Sequence, residues 1–163
     1  MRIGFHETMY GKYWDLLAKK GSYIIGNDDK PKQFDFTVDA SANIGQFVNP
    51  AGSKFLLTHL EGVVTMESLC NESAVMDGSL TLFKNSELLY DFKFLAGNEA
   101  MHYTGKKVLN FRHPLDSMTI LYGSISRLAT INCEDDVKAS VSFFRMADLP
   151  KFMLSFVQGA KLK

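Results

Sequence analysis

The sequence predicts a mainly β protein, an antiparallel meander of about eight strands closing into a barrel, with residues 1–163 forming one domain. Three observations carry this. Apolar residues recur at every second position through most of the chain, the period of a strand with one buried face. Turn-forming clusters such as "GNDDKPK", "KNSE", "AGNEA" and "RHPLDS" separate these runs at short intervals. The runs around 57–69, 74–84, 87–96 and 99–111 are long and joined in sequence, so their edges need closure. A barrel of this size, lipocalin- or calycin-like, holds side chains alone or one small ligand. A two-sheet β-sandwich is the alternative.

Taken in order, "GFHETMYGKYW" opens the meander and puts Ile3, Phe5, Glu7, Met9 and Tyr13 on one face. "QFDFTVD" sets Phe34, Phe36 and Val38 against Asp35, Thr37 and Asp39. "SANIGQFVNP" reads as a short helix near 42–48, with Ser41 as N-cap and Pro50 beyond its end. "GSLTLF" gives Leu80 and Leu82, and "LLYDFKF" gives Leu88, Tyr90, Phe92 and Phe94. "AMHYTGKKVLNF" aligns Met101, Tyr103, Gly105, Lys107 and Leu109. In "SMTILYGSI" both alternating faces are apolar, so the period does not say which points inward. "DVKASVSFF" groups Val137, Ala139, Val141 and Phe143 as its apolar face. "DLPKFMLSFVQGAKLK" reads as a C-terminal helix near 148–158, with Asp148 as N-cap and a stripe of Phe152 and Phe156.

Composition narrows the function classes. Lys+Arg and Asp+Glu are both 18, so the chain lacks the basic footprint of a nucleic-acid binder. With 46% hydrophobic residues, 13 Phe and only 4 Pro, it can bury a core, which argues against disorder. No run approaches a membrane span, and the start lacks a secretory h-region, so a cytoplasmic location is expected, with signal-less export left open. Cys70 and Cys133 make no metal or redox motif and read as free thiols. His6, His59, His102 and His113 lack metal-ligand spacing, and no metal is expected. "GSISR" is not a nucleophile elbow, so no catalytic residue is assigned.

Several segments together resemble a known family. "FHETMYG" fits F-x-E-x-M-x-G through Phe5, Glu7, Met9 and Gly11. "FDFTVDASANIGQFVNP", "HLEGVV", "MDGSLTLF", "LLYDFKFLAGNEAMHYTGKKVL", "DSMTILYG" and "DLPKFMLSFV" follow in order. This succession, from about residue 3 to 157, is similar to an accessory domain of large cholesterol-oxidase-like proteins of the GMC flavoprotein family. "TGKK" fits T-G-x-K at Thr104, Gly105 and Lys107, whereas "DSMT" departs from a typical D-T-T-T while keeping Asp116 and Thr119. No strand–GxGxxG–helix unit for FAD is present. The resemblance therefore implies a stand-alone accessory module without the flavin domain and with no cofactor of its own.

The candidate site starts from two charges on apolar faces. Glu7 and Lys107 both point into the interior if their faces do, and pairing is the least costly arrangement for them. Tyr103, Asp116, Thr119 and Tyr122 are the candidates to surround the pair. Three roles stay open: a buried ion pair pinning strand register, a ligand-orienting pair at a cavity, or acid–base catalysis. The corresponding functions are a non-enzymatic barrel binding an apolar lipid- or sterol-like molecule, an interaction module for a separate oxidoreductase or other protein, and a small barrel isomerase or cyclase.

Overall fold

The computed structural model describes residues 2–19, 22–25, 30–48, 51–52, 57–84, 86–110, 112–128, 137–151 and 154. Ten strands and two short α-helices are assigned among them: β1 (Arg2–Lys19), β2 (Ser22–Ile25), β3 (Lys32–Asn43), α1 (Gly45–Val48), β4 (Leu57–Met66), β5 (Cys70–Ala74), β6 (Met76–Lys84), β7 (Glu87–Ala96), β8 (Glu99–Val108), α2 (Pro114–Thr119), β9 (Ile120–Arg127) and β10 (Val137–Phe144). All pairings among the described residues are antiparallel, and most join neighbours in sequence, the exceptions being β1 with β3, β4 with β6 and β1 with β10. β10 also pairs β1, from Met9↔Phe144 to Asp15↔Lys138, which closes the barrel. β5 runs through Val75 into β6, both pairing β4, so the two act as one bent stave of eight. β2 lies outside the closed barrel and, among the described residues, pairs only the far end of β1, Leu16–Lys19. Closure removes the open edges that a sandwich would keep, and the barrel reading holds.

The connections follow turn chemistry. Ala96 pairs Glu99 around a two-residue loop, and Gly97 at its first position takes φ 64°, which favours glycine. Ser86 takes φ 61° in the β6–β7 turn.

Alternation builds the core. Phe34, Phe36 and Val38 of β3 meet Leu88, Tyr90, Phe92 and Phe94 of β7 and Met101 and Tyr103 of β8 inside, all at most 5% exposed. Their rings touch in a continuous stack: Phe92 lies 4.7 Å from Tyr103, Phe36 lies 5.4 Å from Phe92, and Phe34 lies 5.3 Å from Tyr103, centroid to centroid. Each such side chain contributes about 1.5–3 kcal/mol by leaving water.

Four local expectations change. The segment from Ser41 to Asn43 continues β3, paired to β1 through Arg2↔Asn43, because Ala40 and Ala42 are buried there. The helix therefore covers only Gly45–Val48, and Ser41 is a strand residue, not its cap. "PLDSMT" is helix α2 with Pro114 in its first turn, where proline costs nothing, so Asp116 and Thr119 stand on a helix before β9. In β10 the buried side chains are Lys138, Ser140 and Ser142, while Phe143 is 48% exposed. The small hydroxyls face in because the rings of β3, β7 and β8 already fill the space before them. Lastly, Met146–Asp148 forms a 3-10 turn preceded by Arg145, so Asp148 ends that turn directly before the helical residues that start at 149. Residues 149–151 and 154 are helical, and the remainder of the expected terminal helix lies outside the described residues.

Candidate functional site

Glu7 on β1 and Lys107 on β8 come from opposite walls and meet inside the barrel. Lys107 Nζ donates to Glu7 Oε1, and Tyr90 Oη on β7 donates to Glu7 Oε2 at 2.6 Å. The ammonium also lies 5.3 Å from the Tyr90 ring centre, on the electron-rich face. The two charged side chains are 2% and 4% exposed. Both carboxylate oxygens thus have a donor, which a buried charge requires. Burial first, then the Glu7 charge and its hydrogen bond, push the Tyr90 phenol well above its ordinary value. Tyr90 is a fixed donor, and the triad is sealed from bulk water.

Tyr103 sits beside the triad in the ring stack. Its ring lies over the Gly105↔Gly123 pair of β8 and β9, where a Cβ on either glycine would come within 2.5 Å of a Tyr103 atom. Burial pushes its pKa up; the neighbouring Ser140 hydroxyl works against this, and the Glu7 charge adds to it. The Tyr103, Ser140 and Ser142 hydroxyls are buried without a well-formed hydrogen bond among the described residues, the Tyr103 and Ser140 oxygens facing each other.

Asp116 is exposed on α2. Thr119 turns its hydroxyl to the Asp116 carbonyl, donating at 2.6 Å. Tyr122 is 56% exposed on the outer face of β9. The structure therefore brings Glu7, Lys107 and Tyr103 together inside and leaves Asp116, Thr119 and Tyr122 away from them. Tyr90 is the member that sequence reasoning missed. Its inward direction follows from alternation, but its reach to Glu7 depends on the barrel's closure.

A second polar group lies further along β1. Asp15 accepts from Lys138 Nζ at 2.6 Å and from Lys32 Nζ at 3.1 Å. Tyr13, buried beneath, donates its hydroxyl to the Glu67 carbonyl at 2.7 Å and carries Lys32 at 5.7 Å from its ring centre. Among the described residues no group of three or more His, Cys, Asp or Glu is placed to hold a metal ion.

The outer wall offers two further features. Phe143 of β10 pairs Tyr10 of β1 in the ladder, and the Arg145 guanidinium stacks 3.5 Å from the Tyr10 ring centre. A depression of about 340 Å³ lies here, lined by Tyr10, Gln33, Glu67, Phe143 and Arg145 among others. A larger one, about 610 Å³, lies over β6 to β9. No described helix is long and apolar enough to cross a membrane. Compared with known proteins, the chain has no matching family model, curated protein or solved structure.

Proposed function

We propose that this barrel is a non-enzymatic interaction module that docks on a protein partner through the Tyr10–Phe143–Arg145 face. The observation that carries this reading is that face itself. Phe143 and Met146 are 48% and 52% exposed beside a stacked Arg–Tyr pair, and aromatic and arginine side chains anchor protein interfaces. The resemblance to the accessory domain of GMC flavoproteins supports a separate oxidoreductase as the class of partner. Phe143→Asp and Arg145→Glu are expected to abolish co-purification with such a partner while leaving the unfolding temperature within a few degrees, because both side chains are exposed. A complex that survives both substitutions, or none formed by the unaltered chain, overturns the reading.

The fold is compatible with a second reading, since an eight-stranded barrel has room either for side chains alone or for one small ligand. Here a lipid- or sterol-like guest has to displace the Phe36, Phe92 and Tyr103 rings, all at most 1% exposed. Native mass spectrometry after incubation with cholesterol or oleate decides it: a one-to-one adduct supports this reading, and its absence removes it. Isomerase or cyclase chemistry at Glu7 and Lys107 has the least support, because a substrate has no approach to side chains this buried.

A further inference from the structure

We propose that the outer wall over β6, β7, β8 and β9 is a binding trough for a neutral saccharide. Strand register sets two rows of side chains side by side across all four staves. One row is Ser79, Asp91, Thr104 and Ser124, and the next is Thr81, Leu89, Lys106 and Tyr122. Ladder neighbours repeat at about 4.8 Å, so the first row is a regular line of three hydroxyls and a carboxylate. Its side chains are short, and the backbone of Gly105 and Gly123 joins the floor. Taller residues flank the line, with Lys106 and Tyr122 on one side and the opposed pair Lys93↔His102 on the other. The result is the depression of about 610 Å³, a volume within the range of small-molecule sites.

The chemistry of the trough selects its ligand. Hydroxyls both donate and accept, Asp91 accepts and Lys106 donates, so the lining matches a molecule covered in hydroxyl groups. The charges around it are already paired, Lys106 with Glu87 at 3.3 Å, Lys93 with Asp77 at 3.2 Å and Asp91 with His102, which favours neither an anion nor a cation. Asp91 is already steadied by His102 at 3.1 Å, and the Thr104 and Ser124 hydroxyls pair at 3.0 Å, so the floor is ordered before anything binds. Tyr122 adds an exposed aromatic face against which the apolar side of a sugar ring can lie. A peptide strand is disfavoured, because each of these staves is paired on both sides and offers no edge.

The test is titration of the intact protein with cellohexaose, maltohexaose and chitohexaose, followed by backbone amide NMR shifts. Saturable shifts confined to the trough residues are expected with at least one of the three sugars. Tyr122→Ala and Thr104→Val should each weaken that binding roughly tenfold or more, a loss of the size expected for one good contact. Both side chains are exposed, so the unfolding temperature should hold. Phe143→Asp should leave sugar binding intact, which separates this site from the protein-docking face. No saturable shift with any of the sugars, shifts centred elsewhere, or binding indifferent to Tyr122→Ala and Thr104→Val overturns the proposal.

Discussion

Glu7 is tolerated inside the barrel because each carboxylate oxygen meets a donor, Lys107 on one side and Tyr90 on the other. Such a pair need not add net stability, yet breaking it leaves a buried charge alone. Glu7→Gln should therefore cost about 3–5 kcal/mol in urea unfolding, whereas Glu7→Leu combined with Lys107→Met should recover most of that loss. A Glu7→Gln variant within about 1 kcal/mol of the parent would show that the charge is not sealed as described. Alternation was enough to read this pair from the chain, since a charge on each of two apolar faces needs a partner. It was not enough for Tyr90, whose hydroxyl reaches Glu7 only once β1 and β7 face each other across a closed barrel. Tyr122 shows the opposite limit: both faces of its strand are apolar, and the facing is set only in the closed barrel, where Leu121 and Ile125 turn inward with Gly123 beneath the Tyr103 ring and Tyr122 turns outward.

At the scale of elements, the β8–β9 ladder is built around one ring. Tyr103 leans over Gly105 on its own strand and Gly123 on the next, and it uses the volume that two Cβ atoms would occupy. In a strand interior alanine normally outperforms glycine by roughly 0.5–1 kcal/mol. Here the sign should reverse: all three nearest atoms to a Cβ on Gly105 belong to Tyr103, so Gly105→Ala should destabilise by about 1–3 kcal/mol. In a Tyr103→Leu background most of that penalty should vanish, and a double-mutant cycle of unfolding free energies measures the coupling. Additive effects would mean the ring does not rest on the glycine. The same packing explains which elements were legible. β3, β7 and β8 carry large apolar residues on a single face, and alternation alone gives their orientation. β10 has apolar residues on the outside and Ser140 and Ser142 within, because the wall opposite large rings must be small. Helix α2 is not legible from the sequence because its six residues have no room for a 3.6-residue period, and the Pro114 signal at its start reads equally as a turn.

Over the whole molecule, charge sits at two levels of the interior with aromatic packing between them. From Glu7 to Asp15 is eight residues of β1, about 26 Å at about 3.3 Å per residue. The inner level is sealed, but the outer one, where Lys138 and Lys32 hold Asp15, reaches solvent and can titrate within the folded state. Burial acts to raise the Asp15 pKa, and the hydrogen bonds and charges of Lys138 and Lys32 outweigh it, so the net shift is downward from 3.8. A carboxylate with a depressed folded pKa contributes stability above its unfolded value and loses it as pH falls through the folded one. The contribution of Asp15 is thus complete at neutral pH and disappears only below about pH 4. Asp15→Asn should lower the urea midpoint at pH 7, partly because Lys138, only 11% exposed, loses its ion pair with Asp15. The gap between parent and variant should then narrow as pH falls below 3.8. Lys138→Met in the Asp15→Asn background separates the two contributions by removing the buried ammonium, and it should restore part of the neutral-pH loss without restoring the acid limb. A gap between parent and Asp15→Asn that stays constant down to about pH 2 would show that the carboxylate is not held by its lysines, and the acid sensitivity of the barrel would then have to arise elsewhere.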